Sequence, residues 1–159
     1  MKRFVIYTLM MFLVACDPLE EMEPPYRYAW LITNSSSQDV VVYLNDSKDS
    51  VLGGDEYNYD RYVEILSGNT SPIYATASGK PNKNFDSFIN RLNFLSILTP
   101  KKDSVLKEYK MGEGGVSHNL YEESEWDYTE YKKHRSYRYY ITYHEWTFTI
   151  TDEDIGLAE

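Results

Sequence analysis

Short runs in which aromatic or β-branched residues alternate with smaller ones recur along this chain, and turn-forming residues separate them. The sequence has 159 residues and includes 16 tyrosines, 3 tryptophans and 6 phenylalanines. Aromatic and β-branched side chains suit the half-buried surface of a pleated strand. Short strands at close spacing are typical of an antiparallel sandwich or barrel. The pattern therefore predicts one mainly β domain over residues 26–159.

The first predicted strand pair is the clearest one. Tyr28, Trp30 and Ile32 alternate with smaller residues, residues 34–37 supply turn chemistry, and residues 40–44 form a β-branched run. This arrangement predicts a β-hairpin. Further strands are predicted at 62–66, 73–77, 94–98 and 105–109, and the last two are expected to pair as a hairpin.

The middle of the chain contains apolar residues at helical rather than alternating spacing. Phe85, Phe88, Ile89 and Leu92 follow Asn84, a residue type that often caps a helix. We therefore predict one short helix around residues 85–93, with an irregular segment as the alternative.

The C-terminal alternation changes phase. Aromatic and apolar residues occupy even positions at 146–150 but odd positions at 139–143. A shift of one residue moves every side chain of a strand to the opposite face of its sheet. Burying both sets on one side would require a bulge or break, which the sequence predicts at residues 143–145.

The N-terminus has the organisation of a secretion signal. Lys2 and Arg3 precede an apolar run at 4–15, which is too short for a permanent membrane-spanning helix. The run ends in Leu13-Val-Ala-Cys16, which resembles the bacterial lipobox and implies a lipoprotein signal peptide at 1–15, with diacylglycerol on Cys16. The alternatives are a plain secretory signal and a buried Cys16. Because Cys16 is the sole cysteine, no disulfide forms within one molecule.

Residues 16–25 are rich in acid and proline and predict an extended tether to the membrane. They also resemble the export signal of Bacteroides-type surface lipoproteins, which implies the outer membrane and its outer face; a solvated charge run is the alternative. Removing residues 1–15 leaves 14 basic against 25 acidic residues, a formal charge of −11. This charge argues against a nucleic-acid partner. The basic residues 132–135 are interpreted as a solvated loop.

The folded domain carries a further resemblance. A C-terminal strand followed by an acidic turn at 146–155, together with the segment 31–42, resembles short Bacteroides-type lipoproteins that have no assigned activity. This resemblance implies an immunoglobulin-like β-sandwich and no particular functional residues. Residues 49–51 and 103–105 each resemble a short Asp-Ser-apolar motif for O-glycosylation, a modification that stays a hypothesis here.

The sequence contains no pattern that specifies catalysis. A serine elbow is absent, the glycines at 112–115 lack the residues of a phosphate loop, and His118, His134 and His144 are widely spaced. The acidic residues 152–154 lack the loop of an EF-hand, so we interpret them as a solvated turn rather than as calcium ligands. We therefore predict no enzyme, no cofactor and no metal.

The aromatic residues suggest a binding role instead. Trp30 and Trp146 lie in alternating strands and are predicted to be core residues. Trp126, Tyr128 and Tyr131 lie in an acidic, tyrosine-rich segment and are predicted to form an exposed platform for a glycan or a protein partner. The alternative function is a structural accessory subunit of a larger envelope complex, which would present a sheet edge or a flat apolar face.

Overall fold

A computed structural model describes residues 25–46, 59–81, 85–112, 118–136 and 139–157. The signal, Cys16, the tether up to residue 24, Asn84 and the motif at 49–51 lie outside these ranges. The described strands and helices, in chain order, are β1 Tyr26–Asn34, β2 Val40–Asp46, β3 Tyr59–Ile65, β4 Thr70–Ser78, α1 Asp86–Ile89, β5 Leu92–Leu98, β6 Val105–Lys110, a 3-10 turn at Glu123–Glu125, β7 Asp127–Ser136 and β8 Tyr139–Ile150.

The strands form two packed sheets of four. Sheet I has the order β4-β1-β8-β7 and sheet II has the order β3-β2-β5-β6. The strands β1 and β8 run parallel, and the other described pairs are antiparallel. Trp30 and Trp146 stack in the core with ring centroids 4.9 Å apart, as the alternation predicts. The mainly β sandwich is confirmed, and its immunoglobulin-like subtype stays a prediction.

The predicted hairpin between the first two strands is wrong. The strand β1 belongs to sheet I and β2 to sheet II, so residues 35–39 carry the chain from one sheet to the other. Each strand buries one face in the core. The same alternation is expected whether the two strands are neighbours in one sheet or lie in two sheets that face each other. The β3–β4 connection also passes from one sheet to the other, next to the β1–β2 connection. The two connections are joined by a hydrogen bond from Gly68 N to Asn34 O over 2.7 Å.

The predictions for the middle of the chain are confirmed. The helix α1 is shorter than predicted and buries Phe88 and Ile89. It ends before Leu92 because residues from Leu92 onward pair with β2. The strands β5 and β6 form the predicted hairpin, and Ser104 is exposed in its turn.

The predicted bulge at 143–145 is wrong. The strand β8 keeps a continuous register with β1 from Thr142 to Ile150. The register shift lies instead in β7, between His134 and Ser136. A bulge is unnecessary because the two apolar sets of β8 use both faces of the sheet. The set at 146–150 faces the core, and the set at 139–143 lies on the opposite face by register, where Ile141 is also buried.

Two further predictions are corrected. The basic residues 132–135 belong to the edge strand β7 rather than to a loop, although their side chains are exposed. The acidic turn is not simply solvated, because Asp154 is buried and Asp152 Oδ1 accepts a hydrogen bond from Ser37 N over 2.7 Å. In the described part of the chain, no helix is both long and apolar enough to span a membrane.

Candidate functional site

The structure does not present Trp126 as a binding platform. Its side chain is only 6% exposed and packs against Phe85 and Phe148. The indole Nε1 donates to Leu120 O over 2.8 Å. The prediction that Trp126 is exposed is therefore wrong: its neighbours in sequence are polar, but the ring turns into the core between the 3-10 turn and β7.

Tyr128 and Tyr131 lie on opposite faces of sheet I. Tyr128 pairs with the core-facing Trp146 and stays 42% exposed because β7 is an edge strand. Its hydroxyl hydrogen-bonds to His144 Nδ1 at 2.7 Å. Tyr131 pairs with Tyr143, which faces outward. The three predicted residues therefore do not form one surface, and only Tyr131 lies on the outer face.

A groove of about 360 Å³ lies on that outer face, across β4, β1 and β8. Two rows of outward side chains border it. The first row contains Ala77, Arg27 and Tyr143, and the second contains Ala75, Ala29 and Glu145. Between them runs the backbone of Thr76, Tyr28 and His144, whose side chains lie on the opposite face. We call this feature the outer groove, and its volume falls within the range of small-molecule sites.

The alanines give the outer groove its depth. Neighbouring side chains on one face of a sheet stand about 5 Å apart across strands and normally fill the space between them. Here Ala29, Ala75 and Ala77 end at Cβ, while Tyr143 and Glu145 stand beside them on β8. The result is a small-residue floor bordered on one side by a large ring and a carboxylate.

The Tyr143 ring is held by its neighbours on β7. It stacks on Tyr131 with centroids 5.0 Å apart and an interplanar angle of 2°. Tyr131 covers the face toward β7, so the opposite face of Tyr143 is directed at the groove. The Tyr131 hydroxyl donates to Glu145 Oε1 over 2.6 Å, which fixes the carboxylate. Lys133 Nζ lies 5.1 Å from both ring centroids.

The contacts of Tyr131 predict that its phenol loses its proton only at high pH. Burial, followed by the hydrogen bond to Glu145, raises the pKa of Tyr131 from its ordinary value of 10.0 to about 12. Because the folded state favours the protonated phenol, Tyr131 contributes fully to folding stability below pH 10. This contribution is lost as the pH rises through 12. The phenolate absorbance of wild type minus that of Tyr131→Phe should rise near pH 12 while circular dichroism still reports a folded chain. A difference transition centred near pH 10 would contradict the network.

The outer groove brings together groups that can contact a polar ligand. It combines an aromatic face, a guanidinium and one carboxylate that is already engaged by Tyr131. No group of three or more potential metal ligands occurs among the residues that the structure describes. Sequence reasoning found Tyr131 but missed the groove itself. One signal was available, because alanine is depleted in strands and here recurs at 29, 75 and 77.

Comparison with protein-family models, curated proteins and solved structures finds no match to this chain. The outer groove is therefore the feature from which a function is inferred.

Proposed function

We propose that this chain is a lipid-anchored lipoprotein of the bacterial outer membrane and that its folded domain is a non-catalytic module that binds glycan. The observation that carries the proposal is the Tyr143 ring at the border of a groove with an alanine floor. A flat apolar ring face suits the apolar face of a sugar ring, and a few fixed polar groups set its orientation.

The polar groups of the outer groove are positioned for that role. Glu145 lies on the second row, with one oxygen held by Tyr131, and accepts hydrogen bonds from sugar hydroxyls. Arg27 lies on the first row beside Tyr143 and donates to ring or hydroxyl oxygens. A sugar ring on Tyr143 would therefore meet a donor and an acceptor on adjacent rows of the same sheet face.

The proposed lipid anchor would hold the outer groove near the membrane surface. A tether of nine residues after Cys16 would hold the domain up to about 30 Å from the lipid. Many copies on one surface would bind a repeating polysaccharide at several points, which raises the overall affinity of weak individual sites. A small site with modest affinity is therefore adequate for this function.

Replacing Tyr143 with alanine should weaken glycan binding by about tenfold, because the stacking surface is lost. The measurement uses the full-length lipoprotein in detergent on a glycan array, followed by titration with each glycan that binds. Tyr140→Ala is the matched control, since Tyr140 is a 49% exposed tyrosine of the same strand that does not line the groove. Equal losses in both variants, or no binding to any glycan by the wild type, would refute the proposal.

The anchor has its own test. Changing Cys16→Ser should move the chain from the membrane fraction to the soluble fraction and remove the mass of the acyl chains. Intact mass measurement of the membrane-extracted protein checks this result. A wild-type chain whose mass shows no lipid would refute the lipoprotein assignment without affecting the glycan titration.

A structural accessory subunit is the second candidate, and one edge of sheet I favours it. Among the described strands, the edge strands β3, β6 and β7 carry charged side chains, whereas β4 carries none. Charges on edge strands normally prevent pairing with another chain. If β4 docks on an envelope partner, the lipoprotein will be found in a defined complex and will not bind any glycan on the array.

A further inference from the structure

The segment from Tyr131 to His144 differs in charge from the rest of the chain. It contains four lysines and arginines, five tyrosines and no acidic residue, within a chain whose formal charge is −9. Residues 131–136 form the end of β7 and residues 139–144 form the beginning of β8, and the two strands pair antiparallel. We call this segment the basic hairpin. It concentrates positive charge and amphipathic rings in one place on an acidic protein.

The basic hairpin lies at the end of the sandwich where the tether joins. The strand β1 begins at Tyr26, which pairs with Thr142, so the first three residues of β8 extend beyond the start of β1. The carbonyl oxygen of Pro25 accepts a hydrogen bond from Thr142 N over 2.8 Å. The chain that leads back to Cys16 therefore leaves the domain beside the basic hairpin.

One face of the basic hairpin presents an exposed ring next to a cation. Tyr140 is 49% exposed, and the His134 ring lies against it with centroids 4.0 Å apart. Lys132 is exposed on the same face, because it and His134 are two residues apart on β7. Lys133 lies on the opposite face, where its ammonium group contacts two tyrosine rings. Tyrosine rings and lysine side chains are the groups that proteins place at the interface between lipid and water.

We propose, on the basis of the lipid anchor above, that the basic hairpin docks the domain on the anionic lipid headgroups of the membrane that carries its own anchor. The Tyr140 ring enters the headgroup region, and Lys132 attracts the lipid phosphates. The surface potential of the bilayer acts on the summed charge of the hairpin, so the attraction does not require a cation that lacks a protein partner. At physiological ionic strength the Debye length is about 8 Å, which largely screens the negative charge of distant residues.

A weak contact is sufficient because the anchor keeps the domain near the membrane. Two linked attachments reinforce each other, since the first one raises the effective concentration for the second. The tether and the basic hairpin leave the same end of the sandwich, so both reach the bilayer at once. In the docked orientation the strands point away from the membrane, and the outer groove, which lies on a sheet face, opens parallel to the membrane surface.

Reporter tryptophans test the docking. The three native tryptophans are buried, so an added exposed indole reports lipid contact. The full-length lipoprotein is inserted into vesicles of equimolar phosphatidylcholine and phosphatidylglycerol with brominated acyl chains, which quench nearby indoles. Tyr140→Trp should be quenched more strongly than Tyr62→Trp, the matched control, because Tyr62 is 51% exposed on the other sheet. High salt should reduce this difference.

A charge change tests the role of the lysine. In the Tyr140→Trp chain, Lys132→Gln should lower the ratio of docked to undocked domains about fivefold on the anionic vesicles. Lys101→Gln is the control and should leave quenching unchanged. Lys101 is exposed in the β5–β6 turn, and β5 ends opposite Val41, beside the β1–β2 connection at the far end of β1.

The outcomes separate the docking from the anchor. If the lipoprotein floats with the vesicles but both reporters are quenched equally, the docking is overturned and the anchor stays in place. The docking is also overturned if Tyr140→Trp is quenched equally on vesicles of phosphatidylcholine alone, or if Lys132→Gln has no effect. If the wild-type chain does not float with the vesicles, the lipid anchor itself fails. Circular dichroism establishes that each variant is folded.

Discussion

Replacing Asp154 with alanine should lower the free energy of unfolding by about 3 kcal/mol. The Asp154 carboxylate is only 4% exposed, and three donor atoms from two residues contact it. Thr151 N and Oγ1 each donate to Oδ2 over 2.9 Å, and His118 Nδ1 lies 2.8 Å from Oδ1. Removing the acceptor leaves these partly buried donors without their partner, and urea unfolding followed by circular dichroism measures the cost.

Aromatic rings lie beside the pair formed by His118 and Asp154. The His118 ring stacks on Phe148 with centroids 4.3 Å apart, which places the pair against the core. Burial, followed by the negative charge of Asp154, raises the pKa of the neighbouring Tyr109 well above its ordinary value. The carboxylate therefore ties the C-terminal turn to the segment that enters β7.

Glu153→Ala is the matched control for this prediction. It removes an exposed carboxylate one position away and should change the free energy of unfolding by no more than about 0.5 kcal/mol. If both variants unfold at the same urea concentration as the wild type, the C-terminal turn does not stabilise the sandwich, and the role assigned to Asp154 is wrong.

Asn34→Ala should also lower the free energy of unfolding by about 3 kcal/mol. The Asn34 side chain forms hydrogen bonds at both places where the chain passes from one sheet to the other. Asn34 is fully buried. Its Nδ2 donates to Gln38 O over 2.9 Å and to Ile65 O over 3.0 Å, and its Oδ1 accepts from Ser36 N and Oγ. The amide thus joins the end of β1, the first crossing and the end of β3. Thermal and urea unfolding measure the loss.

A second substitution at Asn34 separates the two halves of the amide. Asn34→Asp keeps an oxygen that accepts from Ser36 but cannot donate to the two carbonyls, so it should destabilise almost as much as alanine. Asn93→Ala is the control, because the bond from Asn93 Nδ2 to Asn45 is exposed to solvent. A small effect of Asn34→Asp would show that the two donated bonds contribute little.

These stability variants lie far from the binding variants. Asn34 pairs with Ile150, whereas Arg27 pairs with Tyr143, seven residues earlier on both strands. At about 3.3 Å per residue, this separation is about 23 Å. Losses of folding stability at Asp154 and Asn34 can therefore be measured independently of the sugar titrations at the outer groove.

The secondary structure was largely predictable because it follows from local patterns. Alternation identified the strands around Trp30 and Phe148, a β-branched run identified the strand around Val42, and helical spacing identified α1. Turn residues between 98 and 105 identified the β5–β6 hairpin. In each case neighbouring residues along the chain decide the outcome. The lipid-bearing Cys16 likewise depends on a local signal, and it stays a prediction because it lies outside the described residues.

The candidate site was not predictable in the same way. Tyr131 and Tyr143 are close because β7 pairs with β8, and Ala75 lies in the same groove because β4 pairs with β1. Neither register is encoded by residues adjacent in sequence. Trp126 shows the same limit, since its polar neighbours suggested exposure but packing against Phe148 buries it.

The sequence by itself determined that this chain forms short, aromatic-rich strands with two tryptophans in a β core. The tertiary structure alone decided which sheet each strand joins, why β8 needs no bulge and where the outer groove lies. The physical reason is that alternation specifies only that one face of a strand is buried. Any partner strand or facing sheet can supply that burial, so the choice depends on packing among residues that are distant in the chain.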